Sequence, residues 1–381
     1  MVCDLTTILF TTDFKQFIMR FRAIDTFRGL AAILVILFHI PDSVLLAGNQ
    51  LIAHGYMAVD FFFVLSGFVM AHSYLKKIND LPSAKDFAIK RFKRIYPLHL
   101  FTLLAFLAFE ASRFVVDAYF VKLNTPPFYQ SDFWTFIGNL TLTHSMGLFD
   151  HLSWNLPSWS ISVEFYVYVF WALALIALRK RLLLVGLISA PAIIWFLWKF
   201  NGNIEYTFDY GFIRCLFGFL LGMYAYLLAK RFERRMNRSL ATITEIAILG
   251  ITGYLLAYVP TSFHWMMPFW FAIVIIFFST ETGYVAKLFA HQKLKFLGDL
   301  SFSYYLTHIV IIRAADLLFY KVLGLQHTVI VEAVFLVFIF SIVQVVSQFT
   351  YKHIELRFQA KPKPRVEPVQ REIETATIMA K

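Results

Sequence analysis

The sequence predicts an all-α, polytopic membrane protein with about ten transmembrane helices and both termini in the cytoplasm. Three observations carry this. The 381 residues are 59% apolar and only 15% charged, with a mean hydropathy of +0.65, against about 45–50% and about 25% in soluble proteins. The apolar residues gather into runs of about 20, the length a helix needs to cross a bilayer. Lys and Arg collect between alternate runs, as they do on the cytoplasmic side of a membrane.

Ten runs qualify in order: Ile24–Ile40, Tyr56–Leu75, Ile95–Phe120, Pro157–Leu178, Leu182–Trp198, Phe208–Ala229, Leu240–Val259, Trp265–Thr280, Leu300–Tyr320 and Val329–Thr350. The first and eighth are short. The runs are continuously apolar and longer than barrel strands, which excludes an alternating β-barrel pattern. With the N-terminus inside, the cytoplasmic segments hold 28 of the 35 Lys and Arg residues. Lys122, Lys199 and Lys321 fall outside, and Arg28, Arg113, Arg214 and Arg313 fall within spans. The net charge of +11 therefore lies along the cytoplasmic membrane surface, and nucleic acid is excluded as a partner.

Residues 1–22 read as an interfacial N-terminal tail without a signal-peptide pattern. Residues 23–351 form the helical domain, and 352–381 form a charged, proline-containing cytoplasmic tail that is distally disordered. Only two cysteines occur, Cys3 and Cys215, so neither a disulfide framework nor a metal-ligand spacing is present and no metal is expected. The segment Val121–Leu156 is the one outer loop long enough to build a recognition surface.

An ionisable residue within a span costs about 2.5–3.5 kcal/mol on insertion scales, so each needs a partner, a wet cavity or a task. Arg28 and His39 are separated by 11 positions, a rise of about 16 Å that returns to nearly the same helix face. His39 fits an interfacial histidine before the helix-ending Pro41, or a base at the outer end of that stripe. Arg28 fits a snorkelling side chain paired with Asp25, or a cation at the stripe's inner mouth. Asp60 and Glu164 lie about one and two turns below the outer surface, near the level of His39. Either carboxylate orients that imidazole or neutralises Arg214.

Other polar positions have ordinary explanations. Arg113 has Glu110 and Asp117 at helical spacing, and Arg313 has Asp316. His308 stands one turn from Tyr304, which suits a core hydrogen bond as well as a substrate contact. The run Lys90-Arg91-Phe92-Lys93-Arg94 is explained by topology alone, or by an anionic ligand that the arginines grip bidentately.

Several segments then assemble into a resemblance. AIDTFRGLAAILVILFHI, GYMAVDFFFVLSGFVMAHSY, KRFKRIYPLH, NLTLTHS, SWNLPSWSISVEFY, FLGDLSFSYYLTHIVI and a terminal ELRF occur in this order over residues 20–358. This ordered set resembles the acyltransferase-3 family of integral membrane acyltransferases. The resemblance implies transfer of an acyl group, commonly acetyl, from cytoplasmic acyl-CoA (acetyl-CoA) as donor to a hydroxyl acceptor. In many relatives the acceptor is a surface polysaccharide, a lipopolysaccharide or a lipid-linked saccharide. That implies a place in a bacterial cytoplasmic membrane, with lipid and glycan as partners. The family's essential histidine falls on His39, its first arginine on Arg28 and its paired arginines on Arg91 and Arg94. ELRF departs from a more usual proline-containing ending. The appended esterase-like domain of some relatives does not follow, so acceptor choice is expected in the outer loops.

The mechanism implied has the nucleotide phosphates on Arg91, Arg94 and Arg28, the pantetheine arm extended through the bundle, and His39 as general base aided by Glu164 and Asp60. Direct attack on the thioester is favoured over an acyl-enzyme, since neither cysteine sits at His39's level. A small-molecule or lipid acceptor fits the same residues. An exporter fits the buried charges, but the duplicated halves and broken helices of transporters are missing.

Overall fold

The computed structural model describes residues 21–40, 45–201, 205–232 and 237–358. The expected interfacial tail up to residue 20, Cys3, Pro41 and the distal C-terminal tail lie outside the described residues. No strand occurs among the described residues, and each of the ten apolar runs falls on a helix. In chain order these are α1 (Arg22–Phe38), α2 (Ala58–Tyr74, entered by the 3-10 turn Gly55–Met57), α3 (Leu81–Tyr119), α4 (Phe133–Leu140), α5 (Ser158–Leu178) and α6 (Leu182–Asn201). They continue as α7 (Gly211–Phe232), α8 (Arg238–Tyr258), α9 (Met267–Ser279, entered by the 3-10 turn Thr261–Met266), α10 (Lys295–Asp316) and α11 (Val329–Thr350).

The chain is a polytopic all-α membrane protein. Among the described residues eight helices are long and apolar enough to cross a membrane, against the ten runs expected. The difference lies in α1, which is 17 residues long, and in α6, whose apolar stretch is confined to Leu184–Phe196. Further boundaries differ for local reasons. α3 starts 14 residues before its apolar run because Asp80 accepts from the Ser83 N–H at 2.9 Å in a capping box, with a proline in the first turn. The basic residues that follow are good helix formers and carry the helix on into the apolar run. α11 does not stop at residue 351. It passes through a π turn at Tyr351–Glu355 into Leu356–Phe358, the last described residues.

The segment expected as an outer recognition loop is partly internal. Within it Asp132 caps α4 by accepting from the Thr135 N–H at 2.8 Å. Asn139, His144, Ser145 and Asn155 are then buried. Irregular backbone at such depth is tolerated where protein surrounds it.

Two helix pairs organise the bundle, α2 with α7 and α1 with α10. Lipid supplies no hydrophobic drive for helices to associate, so close packing across small residues holds them. A Cβ at Gly67 would stand 1.9 Å from the Phe219 carbonyl oxygen, and one at Gly222 would stand 1.8 Å from that of Val64. On the other pair, a Cβ at Gly29 would meet Leu297 and one at Gly298 would meet Asp25, both closer than 3 Å. This second contact lays α1 along α10. Arg28, low on α1, meets Ser301, and His39, at its C-terminal end, meets His308.

Candidate functional site

α1, α2, α3, α5 and α10 enclose a cavity of about 190 Å³ at their basic end. Arg28, Arg91, Arg94 and Glu164 all line it, so four residues read from sequence as site members meet in one place. Arg28 donates from Nε to the Ser301 hydroxyl at 2.7 Å, also donates to the Gly298 carbonyl, and pairs with Asp25 at 3.3 Å. The pairing with Asp25 is the one its i,i+3 spacing suggested. Arg91 donates from a terminal nitrogen to the Tyr74 hydroxyl at 3.2 Å and lies over that ring, while its Nε is buried without a protein partner.

Arg94 is held differently. Its guanidinium pairs with the buried Glu355 of the terminal ELRF segment and covers the Phe302 ring. Glu355 also accepts from the Ser303 hydroxyl at 2.6 Å, and Ser303 in turn accepts from Thr350. The terminal motif thus anchors Arg94, a lining residue of the cavity.

The two carboxylates separate. Asp60, fully buried, accepts from Arg214 Nε at 2.9 Å and from a terminal nitrogen at 2.7 Å. Of the two roles open to it in the sequence, neutralising Arg214 is the one its geometry serves. Both of its oxygens accept from Arg214, and among the described residues it makes no contact with His39. Arg214 further donates to the Tyr206 carbonyl and stacks over Trp159. Glu164 accepts from the Tyr168 hydroxyl at 2.6 Å, and Tyr168 accepts from Ser66 at 2.6 Å. It faces the cavity on the side of the arginines.

His39 is the C-cap residue of α1. Its Nδ1 lies 2.8 Å from the Val35 carbonyl and 3.3 Å from Nε2 of the fully buried His308. The two rings are 5.0 Å apart and tilted by 58°. His308 Nδ1 is 3.0 Å from the Tyr304 carbonyl, the core contact its spacing suggested. The His39 contact is one that 269 positions of separation hide from sequence reading.

His39 does not line the cavity. Tyr305 lines the cavity, and its ring is 6.1 Å from that of His308, the partner of His39. It donates to the Pro157 carbonyl at 3.1 Å and bonds Ser160 at 2.8 Å, with Phe62 packed edge-on 5.6 Å away. Elsewhere, Arg113 pairs with Glu110 as expected, whereas Asp117 takes Lys122 and the Leu123 N–H instead.

A polar layer from α3 and the internal loop went unread in the sequence. His99 and His144 stack in parallel with centroids 5.7 Å apart. His99 donates to the Asn139 carbonyl and His144 contacts Ser158 at 3.1 Å. His144 lies outside the spans, and burial, with His99 beside it, pushes its pKa down to about 3. Among the described residues no cluster of His, Cys, Asp and Glu is arranged to hold a metal ion.

A family model described as "Acyltransferase domain" matches residues 21–348. The peptidoglycan O-acetyltransferase OatA of Listeria monocytogenes is 27% identical over 320 residues, covering 76% of this chain and 49% of that protein. A Staphylococcus aureus protein provisionally named as an O-acetyltransferase is 22% identical over 384 residues, covering 91% of this chain and 58% of its own. Protein 2 in the picA locus of Rhizobium radiobacter is 39% identical over 108 residues, covering 28% of this chain and 52% of its own. This chain spans about half the length of these curated relatives. No solved structure matches it.

Proposed function

This chain belongs to the acyltransferase-3 family of membrane acyltransferases, and from that premise we propose that it is an O-acetyltransferase taking its acyl group from acyl-CoA. The acceptor is a hydroxyl of an extracytoplasmic glycan or lipid-linked sugar, in keeping with a relative named for peptidoglycan O-acetylation. The membrane is then the bacterial cytoplasmic membrane, with the basic end of the bundle facing the cytoplasm.

The observation that carries this reading is that one cavity brings Arg28, Arg91 and Arg94 together at the foot of the helix that ends in His39. Pockets for drug-sized ligands run to about 300–1,000 Å³. At about 190 Å³ this cavity suits the acyl-pantetheine end of a coenzyme A thioester, leaving the nucleotide at the basic mouth. There the arginines hold phosphate oxygens by charge-assisted hydrogen bonds. The buried, unpartnered Nε of Arg91 has a donor to give.

In the transfer, His39 removes the proton of the acceptor hydroxyl as its oxygen bonds to the thioester carbonyl carbon. The tetrahedral intermediate collapses by breaking the carbon–sulfur bond, and the imidazolium returns the proton to the departing thiolate. The products are an ester and free coenzyme A. His39 lies outside the cavity lining, and Tyr305, packed on Phe62, reaches from the cavity to the His308 ring, so movement of these two rings admits the thioester to His39. Glu164, beside the arginines, accepts from Tyr168 and holds that ring at the cavity wall.

The test is release of free thiol from acetyl-CoA by the purified protein in detergent, with a soluble sugar acceptor. Thiol release that disappears in His39→Ala supports the reading. Absence of any thioester turnover in the wild-type protein, with acetyl-CoA and acceptor both present, overturns it.

A further inference from the structure

We infer that His308, together with the Val35 carbonyl, fixes the tautomer of His39 and steadies its charged form, and is therefore a positioning residue for acyl transfer. The inference rests on His39 being the base, and it follows from which neighbours can only accept.

A backbone carbonyl has no proton to give. His308 Nδ1 lies 3.0 Å from the Tyr304 carbonyl oxygen, so that nitrogen carries the proton and donates it. Neutral His308 then has its lone pair on Nε2, which faces His39 Nδ1 at 3.3 Å. His39 Nδ1 also faces the Val35 carbonyl at 2.8 Å. Two acceptors converge on this nitrogen, so it carries the proton and shares it between them. The lone pair of His39 is left on Nε2.

The reverse assignment fails on the same geometry. A proton on His308 Nε2 directed at a bare His39 Nδ1 would set that lone pair against the Val35 carbonyl oxygen at 2.8 Å. The hydrogen bond made by one ring nitrogen sets what the other can do. Here the consequence is a base at Nε2, directed away from both partners. Once His39 takes up a proton, its Nδ1–H bond to His308 strengthens, because the donor has become charged.

An orienting partner of this kind is ordinarily sought among carboxylates, and the two candidates in this chain are occupied elsewhere. Asp60 is committed to Arg214 and Glu164 to Tyr168 and the cavity. His308 supplies the acceptor without adding a charge to the core. Gly29 and Gly298 make the arrangement possible by letting α1 and α10 approach closely, which fixes the register that sets the two imidazoles together.

Two measurements test this. Nitrogen-15 spectra of the full-length protein labelled at histidine should show His39 protonated at Nδ1 and bare at Nε2, with the assignment made by loss of the signal in His39→Ala. The opposite tautomer overturns the inference without any change at His308. The second measurement is steady-state kinetics of His308→Leu and His308→Gln. Leucine removes the side-chain acceptor that stabilises the imidazolium and leaves only the Val35 carbonyl, and kcat should fall about 100-fold, the size of a lost hydrogen bond to a charged group, with KM for acetyl-CoA within about twofold of wild type. Glutamine can accept from His39 and donate to the Tyr304 carbonyl, and it should restore kcat to within about fivefold of wild type. A folded His308→Leu protein with wild-type kcat overturns the inference, as does a glutamine variant no better than leucine. If His39→Ala itself retains turnover, the underlying reading of His39 as base is what fails.

Discussion

Asp60 and Arg214 form a two-pronged ion pair in the interior of the bundle, with nitrogen–oxygen distances of 2.9 and 2.7 Å and exposures of 0% and 2%. It joins α2 to α7, the helices already locked by Gly67 and Gly222. Removing one partner of such a pair leaves an uncompensated buried charge and costs about 3–5 kcal/mol. Asp60→Ala should lower the thermal unfolding midpoint in detergent sharply, and Asp60→Leu combined with Arg214→Met should recover most of it. Activity in the stable double variant would confirm that the pair's part is structural. A stable, well-folded but inactive double variant would return Asp60 to the chemistry.

Arg91 lines the cavity with a buried Nε that lacks a protein partner. A hydrogen bond to a charged group is worth about 1.5–3 kcal/mol. Arg91→Ala should therefore raise KM for acetyl-CoA by about 10- to 100-fold while changing kcat little. Raising the salt concentration should weaken donor binding in the wild type more than in the variant. Unchanged donor affinity would reduce Arg91 to a determinant of topology.

His144 gives the stability a pH dependence. Its pKa is pushed down to about 3 in the folded protein, against about 6.5 for free histidine. The unfolded chain therefore binds a proton that the folded chain refuses. His144 costs no stability above pH of about 6.5, and stability falls as the pH drops below that value. By pH 4.5 the loss is about 2–3 kcal/mol. Thermal unfolding of wild type and His144→Gln between pH 7 and 4.5 checks it. The variant should show the shallower slope, and equal slopes would place the proton elsewhere.

Glycine substitutions in two helices should diverge. Gly67→Ala drives a methyl to within 1.9 Å of the Phe219 carbonyl oxygen and forces α2 from α7. Overpacking of this kind costs about 1–3 kcal/mol or more. Gly250, within α8, has nothing within 4 Å of its would-be Cβ. Gly250→Ala should be neutral or stabilise by up to about 1 kcal/mol through helix propensity. Comparing unfolding midpoints and yields of the two variants reads this directly; equal effects would contradict the packing described.

Helices were legible in the sequence because apolar run length is a local property, and all ten runs fall on helices. Their ends were less so. The start of α3 depends on a capping box upstream of the apolar run, and the end of α11 on a π turn beyond it. Local side-chain pairs were also legible, such as Arg28 with Asp25, Arg113 with Glu110 and His308 with the Tyr304 carbonyl. Contacts between distant helices were not. Depth arithmetic puts Asp60 and Glu164 at a level but cannot give the azimuth at which a side chain points. Asp60 therefore turns to Arg214, and Glu164 turns to the cavity of the arginines. The meeting of His39 with His308, and of Arg94 with Glu355, leaves no trace in spacing, because 269 and 261 positions separate the partners.

The most direct test of the account is a cryo-EM structure with a non-transferable acetyl-CoA analogue bound. The account predicts the nucleotide phosphates on Arg28, Arg91 and Arg94, the pantetheine arm in the cavity, Tyr305 and Phe62 displaced, and the acyl carbonyl beside His39 Nε2. An analogue seated outside the cavity, or one whose acyl group stays beyond Tyr305 with His39 still cut off from it, would contradict the account.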